Sequence, residues 1–250
     1  MRPASQAAYR RTFVIPTFVI LLVTSVIAGA QSPGAGDDHP FHALVLATGA
    51  TYMSVDALNA VLTSERYAGL SNDGISYGAS GYLAFGRALL GADFARTTFG
   101  EEGLSNGRTT DLNSTLYLAT AAYALVSMGH LNLFPTLGVG AGHFDVTLRE
   151  KNGGAAAVSG EQTFAAHAQN PGSETTLSGR HLLYSLGGGA DYLITRGAAE
   201  HAGVVFGVRA GMLFAPNRTT WSAGGSRVIA GPDASAGGPF IRVTVGVGGR

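Results

Sequence analysis

From residue 41 onward, apolar residues recur at every second position, which is the period of a β-strand with one apolar face. Over 180–194 one face reads Leu182, Tyr184, Leu186, Gly188, Ala190, Tyr192, Ile194, and the other His181, Leu183, Ser185, Gly187, Gly189, Asp191, Leu193. Over 202–214 the face Val204, Phe206, Val208, Ala210, Met212, Phe214 opposes Gly203, Val205, Gly207, Arg209, Gly211, Leu213. Over 240–248, Ile241, Val243, Val245 and Val247 oppose Phe240, Arg242, Thr244, Gly246 and Gly248. The pattern predicts eight strands, at about 41–53, 74–86, 88–98, 112–126, 130–148, 178–195, 202–214 and 238–249. One segment departs from it. Val55, Leu58, Val61 and Leu62 have helical spacing after Ser54, a plausible N-cap, and predict a short helix in the first long connection.

The connections carry as much information as the strands. The predicted spans 54–73, 87, 99–111, 127–129, 149–177, 196–201 and 215–237 alternate long and short. A meander with its long loops at one end and tight turns at the other is the plan of a transmembrane barrel. Hydrocarbon tolerates no unpaired backbone groups, so a spanning sheet must close on itself. The predicted strands are long enough to cross at a tilt. In such a barrel the apolar faces point outward and the small or polar faces inward. That parity puts Asp93, Asp191, Arg209 and Arg242 in the lumen, where charges need partners, and predicts an ion-pair network there. It also makes Tyr184, Tyr192, Phe206 and Phe214 candidates for interfacial aromatic girdles.

The first thirty residues read differently. Residues 1–11 hold Arg2, Arg10 and Arg11 without an acid, 12–27 are mostly apolar, and Ala28-Gly29-Ala30 follows. This is the grammar of a secretory signal peptide, with cleavage expected between Ala30 and Gln31. The chain then divides into 1–30 signal peptide, 31–40 N-terminal periplasmic segment and 41–250 barrel.

Composition sharpens this picture. Charged residues are 13% of the chain, well below the ~25–35% usual for a soluble surface. Glycine, 37 of 250 residues, falls largely on the lumen faces, where a narrow barrel has little room for side chains. Sixteen basic and sixteen acidic residues balance, which removes the electrostatic case for nucleic-acid binding. Cysteine is absent, which excludes disulfides, thiolate metal sites and a lipid anchor on an N-terminal Cys.

Three stretches then carry a family resemblance, together with the amino-terminal export signal. They are Tyr52-Met53-Ser54-Val55-Asp56-Ala57-Leu58-Asn59-Ala60-Val61-Leu62, the hairpin Gly86-Arg87-Ala88-Leu89-Leu90-Gly91, and Leu133-Phe134-Pro135-Thr136-Leu137-Gly138-Val139-Gly140-Ala141-Gly142. In these the chain resembles the bacterial outer-membrane β-barrel domain families, especially their small eight-stranded members. The resemblance covers nearly all of the mature chain. It implies an all-β, eight-stranded antiparallel up-and-down transmembrane barrel in the bacterial outer membrane. It also implies contact with outer-membrane lipid and insertion by the barrel-assembly machinery. Such barrels often finish on an aromatic residue, whereas this chain finishes Val247-Gly248-Gly249-Arg250.

The expected role is structural or surface interaction, with no catalysis and no cofactor. The Gly-, Ala- and Ser-rich loops 149–177 and 215–237 are the natural surface for an extracellular partner. Two other readings compete. One is a soluble exported lipocalin-like barrel, its apolar face turned inward around a small apolar ligand. The other is a lipid-modifying membrane enzyme at the rim, built on His181 and Ser185 with His143 and Asp145 nearby. Against it, the chain has no G-x-S-x-G nucleophile elbow.

Overall fold

The structure is a computed structural model that describes residues 40–103, 107–151, 153–154, 162–195, 202–216, 218–234 and 237–249. The expected signal peptide, its cleavage point at Ala30 and Gln31, and nearly all of the segment 31–40 lie outside the described residues. In chain order the elements are β1 (His42–Tyr52), α1 (Asp56–Ser64), β2 (Asp73–Phe85), β3 (Ala88–Gly103), β4 (Arg108–Tyr123), β5 (Val126–Met128) and β6 (Leu131–Glu150). Then follow β7 (Gln162–Thr163), α2 (Phe164–Gln169), β8 (Glu174–Thr195), β9 (Ala202–Phe214), β10 (Thr220–Ala223), β11 (Ser226–Ile229) and β12 (Gly238–Gly249).

The eight long strands β1, β2, β3, β4, β6, β8, β9 and β12 pair antiparallel, each with the next. The last closes on the first, from His42↔Gly249 to Thr51↔Phe240. The ring therefore has no free edge. Both of its ends lie at the short-turn end, beside the Gly86-Arg87 turn.

Side-chain direction follows the strand period. Leu46, Ile75, Leu137 and Val247 project outward and are 60–71% exposed. The alternate positions are buried, and the interior is layered. Phe41, Ala43, Val45, Leu89, Phe134, Leu193 and Val205 form an apolar plug at the short-turn end. A polar layer follows. A second, larger apolar core occupies the long-loop end.

That second core is where the structure departs from expectation. The predicted loop 99–111 is mostly strand: β3 runs on to Gly103 and β4 begins at Arg108, past a register shift between Thr98 and Glu101. Gly100 sits there at φ +86°, a conformation that favours glycine. These extensions lack an outward apolar face, so their period reads as loop in the sequence. β6 and β8 also overrun the ring, and β10, β11 and β7 continue the sheet beyond β8. The predicted loop 215–237 thus contains a hairpin, turned by Gly224 and Gly225 at φ +55° and +87°.

These extensions carry a cap. Helix α1 forms where its spacing places it and buries Leu58 and Leu62. Its N-cap is Val55 rather than Ser54, and no side chain caps it; the Val55 N–H donates to Asn72 Oδ1 instead. Helix α2 is capped by Thr163, whose hydroxyl accepts from the Ala166 N–H at 3.1 Å. Trp221 of β10 joins the pieces, with its ring edge-on to Phe144 of β6 at 5.0 Å and to Phe164 of α2 at 4.8 Å.

Trp221 is the chain's single tryptophan and so reports on the cap alone. Phe164→Ala is expected to cost the cap about 3–5 kcal/mol and to shift Trp221 fluorescence to the red. The ring should stay folded, as read by its resistance to unfolding in detergent before boiling.

Candidate functional site

The polar layer of the lumen is built from four strands. Asp93 stands on β3, Asp191 on β8, Arg209 on β9 and Arg242 on β12. Arg209 and Arg242 are directly opposite each other in the β9–β12 register. Two like charges so placed repel unless each finds an anion. Arg242 donates from Nη1 to Asp93 Oδ2 at 3.0 Å, reaching across the barrel to a strand that is not its neighbour. Arg209 Nη2 donates to Asp191 Oδ2 at 3.4 Å, and its Nη1 donates to Ser80 Oγ. Asp191 also accepts from the Tyr82 hydroxyl at 2.9 Å. Asp191 is fully buried and Arg242 is 3% exposed, so both pairs are held out of bulk solvent.

Ring faces complete the surroundings. The Arg209 guanidinium lies 5.7 Å from the Tyr82 ring centre, and that of Arg242 lies 4.7 Å from Phe240. Glycine makes the space. A Cβ on Gly207 would stand 1.9 Å from Asp191 Oδ1, so any other residue there would displace the carboxylate. The cavity beside the network has a volume of about 40 Å³ and is lined by Tyr82, Asp93, Ser185 and Arg209 among others. That is room for a few water molecules and not for an open channel. Among the described residues Asp93 Oδ1, Asp191 Oδ1 and Arg209 Nε have no protein partner, which suits such waters.

The girdle candidates form two cross-strand pairs. Tyr184 is opposite Phe214, and Tyr192 is opposite Phe206. All four point outward and are 45–49% exposed. Along β8 the pairs lie about 26 Å apart. Between them the outward face is Leu186, Gly188 and Ala190.

The enzyme candidates are divided between the two faces of the sheet. His181 and Ser185 point inward and are buried, His181 against the Phe144 ring. His143 and Asp145 lie on the outward face, 3.2 Å apart, and Asp145 also accepts from Ser178 Oγ at 2.6 Å. In that outer cluster the carboxylate stands between hydroxyl and imidazole. A nucleophilic serine needs the imidazole in the middle, where it can take the hydroxyl proton. This arrangement does not supply that.

A second polar centre, on the cap, was invisible in the sequence. Arg108 donates to the Glu65 carbonyl at 2.6 Å, to Glu150 Oε2 at 3.3 Å and to the Gln169 carbonyl at 3.2 Å. Its guanidinium also covers the Tyr67 ring at 5.2 Å. One side chain thus ties the end of α1, the end of β6 and the end of α2. A groove of about 350 Å³ opens beside it, lined by Ser64, Glu65, Arg66, Arg108, Glu150 and Gln169. Burial pushes the Tyr67 hydroxyl up to about 12, against the opposing pull of Arg108. Burial likewise lowers His167 in α2 below the usual imidazole value.

No protein-family model and no curated protein sequence matches the chain. Among solved structures it is similar to Neisserial surface protein A, at 14% identity and TM-score 0.43 over 84% of this chain and 96% of that one. It is similar to Ail, the attachment invasion locus protein of Yersinia pestis, crystallised with the heparin analogue sucrose octasulfate. There the identity is 12% and the TM-score 0.45, over 84% of this chain and 97% of that one. A major outer membrane protein from Thermus thermophilus aligns at 12% identity and TM-score 0.41, over 84% of this chain and 98% of that one.

Removing one member of a buried pair leaves the other charge uncompensated. Arg242→Met is therefore expected to destabilise the barrel by about 3–5 kcal/mol. Arg242→Met combined with Asp93→Leu should recover most of that loss. The temperature at which the detergent-folded barrel unfolds, compared across the wild type and the two variants, checks both expectations.

Proposed function

We propose that this chain is an integral outer-membrane β-barrel whose role is structural or surface interaction, without catalysis. It is exported by a signal peptide cleaved between Ala30 and Gln31. Residues 31–40 then form a periplasmic segment, and the barrel-assembly machinery inserts the ring. The observation that carries the reading is the inversion of the barrel. Its apolar faces point outward around a closed ring, and Asp93, Asp191, Arg209 and Arg242 are paired inside it. A lipocalin-like barrel needs the opposite arrangement. In water an apolar belt of this extent would be an aggregation surface; in hydrocarbon it is matched to its solvent.

The remaining features fit this orientation. The aromatic pairs Tyr184–Phe214 and Tyr192–Phe206 stand where girdles are wanted at two lipid–water interfaces. The short-turn end faces the periplasm, and the cap faces outward from the cell. The Asp93–Arg242 and Asp191–Arg209 pairs, with the apolar layers above and below, plug the lumen. The ring then serves as an anchor, and the cap is the part that meets extracellular partners.

Cell fractionation tests this directly. The full chain is expected in the outer-membrane fraction, with a gel mobility that changes on boiling. Recovery as a detergent-free soluble monomer would refute it.

A further inference from the structure

One row of the outward wall is charged at the place where the apolar belt stops. The register sets Arg96 of β3 opposite Thr115 of β4, Thr115 opposite His143 of β6, and His143 opposite Arg180 of β8. All four share the outward face. One step toward the middle of the ring, the same face is Phe94, Tyr117, Ala141 and Leu182, with the Phe94 and Tyr117 rings 5.2 Å apart. One step toward the cap it is Thr98, Asn113, Asp145 and Ser178. The basic row therefore separates an apolar surface from a polar one.

Among the described residues its arginines have no counter-charge. Arg180 is exposed and Arg96 half-buried, and neither has an ion pair or hydrogen bond among the described residues. The nearby acids among the described residues are already engaged: Asp145 with His143 and Ser178, and Asp111 with Asn113 at 3.0 Å. Farther out on the same wall the pattern differs, since Arg149 is neutralised by Glu174 at 3.0 Å. At the belt's edge, by contrast, two arginines stand beside a hydroxyl and an imidazole with no acid of their own among the described residues. Strand spacing sets Arg96 and Arg180 about 14 Å apart, enough for two separate phosphate groups. Guanidinium is the side chain best matched to phosphate, because its fork donates two parallel hydrogen bonds.

We propose that Arg96 and Arg180, with the Thr115 hydroxyl between them, form a docking row for the phosphate groups of outer-leaflet lipid. The proposal rests on the outer-membrane reading above. The lipid's acyl chains lie against Phe94, Tyr117 and Leu182 while its headgroup phosphates meet the arginines. The site holds lipid on one side of the barrel, below the wall that β3, β4, β6 and β8 raise.

The test uses the refolded full chain in detergent micelles, titrated with lipid A or with dephosphorylated lipid A and read by native mass spectrometry. The wild type should prefer the phosphorylated form, and the preference should fall with ionic strength. Arg96→Gln combined with Arg180→Gln should bind lipid A roughly thirtyfold more weakly, with binding of the dephosphorylated form unchanged. Arg149→Gln, whose charge already has a partner, should behave as wild type. Boiling-dependent mobility confirms that each variant is folded. A folded wild type that binds both lipid forms equally would overturn this proposal alone, even if the glutamine variant does not fold. Loss of affinity for both forms in the folded glutamine variant would also overturn it. A wild type that never enters micelles as a barrel would overturn the outer-membrane reading as well.

Discussion

The structure depends first on the pairing of backbone groups. A sheet surrounded by hydrocarbon cannot leave N–H and C=O groups unmatched along an edge. The β1–β12 ladder meets that demand by joining the first long strand to the last. Once the ring is closed, the two faces of every strand have fixed surroundings, and the sequence must assign each residue to one of them. Val243 and Val245 go out and Arg242 and Thr244 go in because a strand alternates, and the ring turns that alternation into outside and inside.

Closure creates a second problem, which is filling the interior. An eight-stranded ring leaves space only for side chains. Here the space is divided by chemistry: apolar residues at both ends, and two ion pairs between them. The glycines belong to this accounting. Gly207 leaves room for Asp191, and a Cβ on Gly189 would strike the Phe134 ring at 2.6 Å. Small residues on the inner face are thus the condition for placing four charges and several aromatics within one narrow tube.

The ring was legible in the sequence because its apolar face has a strict period of two. All eight long strands lie close to where that period places them, and so does α1. The lumen parity of Asp93, Asp191, Arg209 and Arg242 follows from the same rule, although the choice of partner does not. Arg242 meets Asp93 across the barrel, a distance that no local pattern encodes. The cap was hidden for a related reason. Where β3 runs on to Gly103, β4 starts at Arg108 and β10 and β11 pair, the outward face is no longer apolar, so the period fades while the ladder continues. Arg108 draws its partners from Glu65, Glu150 and Gln169, which are far apart in the chain. His181 and Ser185 show the opposite hazard: shared parity placed them together, but on the inner face.

The central claim is that lipid, not water, surrounds the apolar face. Paired reporters on one strand test it most directly. In a Trp221→Phe background, single tryptophans are introduced as Val243→Trp, facing out, and Thr244→Trp, facing in. Each chain is refolded into vesicles whose acyl chains carry bromine, a contact quencher of tryptophan. Strong quenching at position 243 with little at 244 is the predicted result. Equal exposure of both to an aqueous quencher, or quenching at 244 alone, would contradict the account.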